Sequence, residues 1–260
     1  MTFFVDVYKI FIKYFPQLMR GVGNTMLIAL VGTLIGLVIG LITGIVRTIP
    51  LAKNRALRIV QKCINAIISA YVEIFRGTPM MVQAVVIFWG YAFLNGGITL
   101  PLIPAGIFIV SINTGAYMAE IVRGGIISID KGQFEGGYAI GMTHVQVMLY
   151  IVIPQVLRNI LPSISNEFVI NIKDTSVLNV IGVAELYKMA DIIQKMNYQI
   201  FETYAIVCVI YFILTFSITR LLRLVEMKLE GKSTYTICGS QSDPKAEIHP
   251  PVPKKEDMFR

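Results

Sequence analysis

The chain has 260 residues, of which 55% are hydrophobic, and its mean hydropathy is +0.68. Soluble domains sit near ~45–50% apolar, and the surplus here lies in runs of ~20 residues, which predicts membrane helices and excludes a large soluble domain. The net charge of +7 falls in basic clusters after the first and last apolar runs, a pattern that favours membrane orientation over nucleic-acid binding.

Aromatic residues recur at helical spacing near the start of the chain, at Phe4, Tyr8, Phe11 and Phe15. The pattern is compatible with a short interfacial helix over residues 1–20 and equally with a lead-in to the first membrane span. We take 1–20 as an N-terminal interfacial segment.

The first span is predicted over residues 24–46. Glycines recur in it every four residues, at Gly32, Gly36, Gly40 and Gly44. This spacing places them on one helix face, where a neighbouring helix can approach closely. The loop that follows is basic, so this end of the span is predicted to be cytoplasmic and the N-terminus to lie outside.

Residues 56–76 are moderately apolar but contain several charges, among them Lys62 and Glu73. We interpret them as a foot on the inner leaflet or as one half of a long broken helix. The apolar runs 80–94 and 102–122 follow. If residues 131–158 are also cytoplasmic, an even number of membrane crossings must separate them from the basic loop. Three candidate segments lie between the two, so one of them does not cross by itself. The charged segment 56–76 is the weakest candidate for a separate span.

Residues 135–154 form a polar interruption between the spans, with the pattern of two short helices. Gly141 suits the end of the first helix, because glycine adopts positive φ without strain. Thr143 and Gln146 have the spacing of a capping box at the start of the second helix. Pro154 is predicted to end or bend that helix.

The rest of the chain predicts two more spans. Leu161–Pro162 is predicted to start a helix, and a span over 164–183 contains Lys173 and Asp174. Residues 185–202 are predicted to be an outer loop, and the last span to cover 203–224. The fold class is therefore all-α, a polytopic membrane protein with about five transmembrane helices. The transmembrane domain is predicted over 21–228, and 229–260 as a disordered cytoplasmic tail.

The sequence offers little for catalysis or metal binding. It has two histidines, and its three cysteines show no paired spacing. A Gly-Lys-Ser at 231–233 lacks the earlier glycine of a phosphate loop, since Glu226 occupies that position. We predict no catalytic or metal site and no cofactor on this chain, so any ATP-driven work must draw on another subunit.

The stretch Glu135-Gly136-Gly137, then Gly141, then the I-V-I-P of 151–154 resembles the EAA loop of ABC-importer permeases. That pattern is E-A-A, a glycine after three residues, and I-x-L-P after nine more. The spacing matches throughout, and the replacements exchange small for small and apolar for apolar residues. Further motifs at 73–83, 116–125, 173–176 and 181–186 resemble the polar-amino-acid branch of this family, and the resemblance covers about 18–228.

This resemblance implies a type I ABC importer permease fold and a transport subunit that is not itself an enzyme. Implied partners are a cytosolic ABC ATPase dimer that binds ATP and Mg, a second permease subunit, identical or related, an extracytoplasmic solute-binding protein, and membrane lipid, but no nucleic acid. The implied location is the bacterial cell membrane, with multiple passes, the N-terminus outside and the C-terminus cytoplasmic. The implied cargo is a polar amino acid.

Two sets of residues are predicted to act in transport. The ATPase-coupling set is Glu135, Gly136, Gly137, Gly141, Val145 and Leu149. The substrate-pathway set is Lys173, Asp174, Thr175, Ser176, Asn113 and Glu120. Each set has an alternative. Val145 and Leu149 could instead pack within the helix bundle. The cluster at Lys173 could be a structural lock between helices, and Glu120 could form an ion pair with Arg123.

An ion-coupled secondary amino acid transporter is the alternative function. Such a protein would usually contain an internal repeat with paired broken helices, and the sequence shows none. The sequence does not indicate which amino acid is carried.

Overall fold

The computed structural model describes residues 2–230, and every regular element in that range is helical. Four helices are long and apolar enough to cross a membrane, and a fifth span results if one bent helix pair counts as a single span. The all-α prediction with about five spans is therefore confirmed. The tail predicted over 229–260 lies outside the described residues, except for two residues at the end of the last helix.

The helices form two groups on either side of the segment 131–158. The first group consists of α1 (Thr2–Val46), α2 (Arg55–Gly77), α3 (Met80–Leu94) and α4 (Leu102–Ile127). The segment itself contains α5 (Lys131–Ala139), α6 (His144–Val147) and a π-helical turn (Met148–Val152). The second group consists of α7 (Ile153–Asp174), a 3₁₀ helix (Thr175–Ile181), α8 (Leu186–Asn197) and α9 (Ile200–Glu230).

The glycine face of α1 packs directly on α4, as its four-residue spacing predicts. A Cβ atom at Gly40 would lie 2.2 Å from Cβ of Met118, so no larger residue fits at this contact. The other glycines meet α4 in the same register, one helical turn apart. The contacting pairs are Gly32 with Val110, Gly36 with Thr114, Gly40 with Met118 and Gly44 with Val122.

The N-terminal segment agrees with the second of the two interpretations of residues 1–20, a lead-in to the first span, and not with a separate short helix. It is continuous with the first span in α1, although Pro16 lies inside that helix. Ile10, Tyr14 and Leu18 are buried against α8 and α9. We attribute the continuity to this tertiary packing, which offsets the local cost of the proline.

The segment 56–76 corresponds to α2, which meets α3 at an angle of 113°. Thr78 and Pro79 separate the two helices. The Gln83 side-chain amide joins them by donating to the carbonyl oxygens of Phe75 and Thr78, both at 2.9 Å. The pair counts as one span only if it is taken as broken at this bend, and both interpretations of 56–76 stay predictions.

Two prolines occupy positions that differ from the predictions. Pro154 does not end the helix that begins at His144: it lies in the first turn of α7, directly after the π-helical turn Met148–Val152, within the continuous helical segment His144–Ile181. A bend at Pro154, the other half of the prediction, stays a prediction. Pro162 does not start a helix but lies inside α7. Close packing on α4 holds this part of α7, because a Cβ at Gly125 would lie 2.6 Å from Cγ2 of Ile160.

The outer loop predicted over 185–202 contains the helix α8 instead. Glu185 caps this helix, and its buried carboxylate accepts hydrogen bonds from the backbone N–H groups of Tyr187 and Lys188 at 2.8 and 2.7 Å. Tyr211 of α9 donates a third, at 2.9 Å. Burial raises the pKa of the Glu185 carboxyl, and these hydrogen bonds oppose the rise. The hydrogen bond to Tyr211 could not be predicted from the sequence, because Tyr211 lies 26 positions away on α9.

We predict that Gly40→Ala destabilises the chain by at least about 1–3 kcal/mol, the usual cost of overpacking. The added methyl group would overlap Met118, whereas a Cβ at Gly23 on the same helix meets no atom within 4 Å. Thermal unfolding in detergent would compare Gly40→Ala with the control Gly23→Ala. Equal midpoints for the two variants would contradict a close α1–α4 contact.

Candidate functional site

The turn at Gly141 has the geometry that the sequence predicts. Gly141 has φ = +83°, the left-handed conformation that favours glycine. Its N–H donates to the carbonyl of Tyr138 at 3.0 Å, and the N–H of Met142 donates to that of Gly137 at 3.1 Å. This bond pair is the Schellman motif that closes a helix end. The direction of the chain is therefore fixed between α5 and α6.

The start of α6 is also fixed locally. The Thr143 hydroxyl accepts from the N–H of Gln146, and the Gln146 side chain accepts from the N–H of Thr143 at 2.8 Å, so the predicted capping box is present. The Tyr138 hydroxyl lies 2.8 Å from Nδ1 of His144 and joins α5 to α6 across the turn.

One side of the segment 131–158, which we call the coupling segment, is buried against the ends of α1 and α4. Val147, Met148 and Val152 are buried in a cluster with Val122 and Ile126 of α4. Leu41 and Ile45 of α1 pack against the same cluster. The coupling segment is thus firmly seated on the α1–α4 pair.

The opposite side of the coupling segment has an exposed apolar surface, with exposed fractions of 77% for Ile140, 63% for Val145 and 55% for Leu149. Within residues 2–230, Val145 and Leu149 therefore do not pack inside their own bundle, which was the alternative for these two residues. Glu135 is exposed on α5. Helix caps fix the local backbone while the apolar side chains remain uncovered, so the surface is suited to a protein partner.

The two glycines that replace alanines of the family pattern have different surroundings. Gly136 is exposed, and a Cβ there would meet no atom within 4 Å. Gly137 is buried, and a Cβ there would lie 2.7 Å from Cγ2 of Val147 and 3.2 Å from Cδ1 of Ile151. Only Gly137 is required by close packing between α5 and the residues after it.

The predicted pathway residues 173–176 lie where α7 changes into the 3₁₀ helix. Lys173 and Asp174 are exposed, and neither joins an ion pair within residues 2–230. Ser176 is half-buried. Thr175 is fully buried and its hydroxyl donates to the carbonyl of Ile172 at 3.0 Å, so it closes the helix end and does not face an open path.

Asn113 is buried and already has polar partners. Its amide donates to Oε1 of Gln83 at 2.9 Å and lies 3.4 Å from the carbonyl of Phe75. These bonds link α4 to the α2–α3 break. The structure thus gives Asn113 a role in helix packing, and its contact with a substrate stays a prediction.

A second buried polar network joins three helices beside Lys173. The Asn171 amide nitrogen lies 2.8 Å from the Thr33 hydroxyl of α1 and 2.9 Å from the Thr114 hydroxyl of α4. All three side chains are buried. Asn171 therefore attaches this part of α7 to α1 and α4, and Lys173 follows two residues later.

Glu120 pairs with two arginines. Arg123 donates to it at 2.7 Å, as the spacing of the two residues suggests, and Arg47 at the end of α1 donates to its other oxygen. The ion pair that was the alternative for Glu120 is present. Arg47 was missed in the sequence, because it lies 73 positions from Glu120.

A further acidic residue, Glu167, belongs to the charged group around the end of α7. It is half-buried and lies seven residues before Asp174 on α7. The Arg76 guanidinium lies over the Tyr117 ring, 5.5 Å from its centroid. α7 thus carries three charged residues, Glu167, Lys173 and Asp174, in its second half.

Comparison with known proteins identifies the family. The family described as binding-protein-dependent transport system inner membrane component matches residues 56–231, most of the chain. The chain belongs to this family of transport permeases. It is therefore a transport subunit, and the match favours the ABC-importer prediction over an ion-coupled secondary transporter.

Individual relatives agree with this assignment. The L-cystine transport system permease protein TcyB of Bacillus subtilis is 36% identical over 219 residues, covering 84% of this chain and 88% of the relative. The glutamine transport system permease protein GlnP of Escherichia coli is 36% identical over 166 residues, covering 64% of this chain and 76% of the relative. A crystal structure of an amino acid ABC transporter with histidines matches with a TM-score of 0.70 and 37% identity, covering 83% and 95% of the two chains.

We predict different effects for alanine at the two glycines of α5. Gly136→Ala should stabilise α5 by about 1 kcal/mol, because alanine favours the helix and the site is open. Gly137→Ala should give no net gain, because the added methyl overlaps Val147. Hydrogen exchange of the α5 amide groups would measure both, and equal protection in the two variants would contradict the packing at Gly137.

Proposed function

We propose that the chain is the permease subunit of a bacterial ABC importer for a polar amino acid. An extracytoplasmic binding protein delivers the amino acid, and a cytosolic ABC ATPase dimer supplies the energy from ATP and Mg. A second permease subunit, identical or related, completes the pathway. The chain has its N-terminus outside and its C-terminus in the cytoplasm of the cell membrane. The family match and the glutamine and cystine permeases among the relatives support this proposal.

The observation that carries the proposal is the asymmetry of the coupling segment. Its inner side is seated on the α1–α4 pair, and its outer side presents Ile140, Val145 and Leu149 uncovered. A short helix held in this way inserts into a groove on the ATPase and transmits rigid-body motion to the spans. Glu135 accepts charge-assisted hydrogen bonds from the same partner.

The glycines of the coupling set have distinct proposed roles. Gly141 gives the turn that aims the apolar surface at the ATPase, since its positive φ is strained for other residues. Gly137 lets α5 pack on Val147, and Gly136 leaves a flat exposed surface beside Glu135.

The substrate passes Lys173 and Asp174 in this proposal. Charged side chains in a membrane span cost about 2.5–3.5 kcal/mol on insertion scales, so they usually face a cavity or pair with one another. Here both are exposed and outside any ion pair of the described residues. Lys173 suits the carboxylate of a zwitterionic amino acid, while Asp174 and Glu167 suit its ammonium group.

The coupling contact can be tested by ATPase binding. Leu149→Ser should weaken the affinity for the cognate ABC ATPase about tenfold or more, because burial of a leucine contributes about 1.5–3 kcal/mol. Glu135→Gln should weaken it as well. Binding of purified ATPase to the permease in nanodiscs would measure both.

Leu34→Ser provides the matched control, because Leu34 on α1 is also 55% exposed but lies far along the chain from the coupling segment. It should bind the ATPase with wild-type affinity. Undiminished binding by Leu149→Ser would reject the proposed docking surface.

A further inference from the structure

An apolar groove separates the first half of α1 from α9. Its volume is about 530 Å³, and among residues 2–230 it is lined by side chains of these two helices alone, all of them apolar. Ile206 on its floor is 6% exposed, whereas Phe4, Val209 and Ile213 at its rim are 78%, 56% and 55% exposed. The groove is therefore open along its side.

Water is a poor occupant of this groove. A bound water needs two to four polar partners, and no lining side chain supplies one. At one end Phe3 and Phe201 meet with ring centroids 5.4 Å apart, so the N-terminal ends of α1 and α9 touch. Access is thus lateral, from the surface of the spanning helices.

The groove is continuous with an exposed apolar surface of α9. The rim on α9 extends into the exposed Phe212 and Phe216, 65% and 50% exposed, on a helix that is long and apolar enough to span the membrane. Its wall on α9, from Ala205 to Leu214, rises about 14 Å at 1.5 Å per residue. That length equals about one leaflet of a hydrocarbon core ~30 Å thick.

The groove lies beside the part of α1 that its glycine face does not seat on α4. Gly32, Gly36, Gly40 and Gly44 hold the second half of α1 against α4. The lining residues of α1 all come from positions 3–22, in its first half, beside α9.

We propose that this groove binds one acyl chain of a membrane phospholipid. The site holds the chain between two protein walls, whereas lipids elsewhere on the surface touch one wall. The chain in the groove should therefore exchange more slowly than other lipids. This inference is independent of the transported substrate.

Tryptophan fluorescence can test the proposal on the full chain. The sequence has a single tryptophan, Trp89, so the Trp89→Phe variant has no tryptophan fluorescence of its own. Val209→Trp places a reporter at the groove rim, and Val38→Trp places one on α1 outside the groove at a nearly equal exposure of 55%. Both reporters should be quenched in bilayers of phosphatidylcholine brominated on its acyl chains.

After dilution into lipid-free detergent, Val209→Trp should remain quenched while Val38→Trp recovers. Equal recovery of the two reporters would overturn the proposal. Absence of quenching at Val209→Trp in the bilayer would also overturn it, because a second copy of the chain or another protein would then cover the groove.

A filling variant gives a second measurement. Ala205→Trp places an indole ring in the groove, and phosphorus analysis after purification should find one phospholipid fewer per chain than in wild type. Val38→Trp should retain the wild-type number. An unchanged phospholipid count in Ala205→Trp would overturn the proposal.

Discussion

Close contact between α1 and α4 is the constraint on which the rest of the structure depends. Four glycines let the two helices meet along their length, with no space for a side chain at Gly40. Dispersion contacts and the absence of side-chain entropy favour such a pair in a bilayer, where the hydrophobic effect between helices is missing. The pair is therefore the rigid part of the molecule against which the other helices are placed.

Both regions that we propose to act in transport attach to this pair. The coupling segment packs on its Val122–Ile126 end, and α7 attaches through the hydrogen bonds of Asn171 to Thr33 and Thr114. Lys173 follows two residues later. A displacement imposed on the coupling segment by an ATPase would thus move α1, α4 and the end of α7 together. Packed interfaces shift as units and do not deform continuously, so this arrangement suits the switching of a pathway.

Local rules predicted the coupling segment well. The positive φ of Gly141, the capping box at Thr143 and the glycine face of α1 each depend on residues within a few positions, and all are present. The errors arose where tertiary packing outweighs local preference. α1 continues through Pro16 and α7 through Pro162.

Side-chain partners far apart in sequence were also missed. Glu120 meets Arg47 across 73 positions, and Asn171 meets Thr33 across 138. Such contacts depend on how the helices pack and leave no local pattern in the sequence.

The central claim is that ATP-driven motion of the α1–α4 pair moves an amino acid past Lys173 and Asp174. Uptake into vesicles with the cognate ATPase and binding protein tests it most directly. Lys173→Gln should reduce uptake about tenfold or more while Lys195→Gln, a change at an exposed lysine on α8, transports normally. Wild-type uptake by Lys173→Gln would contradict the account.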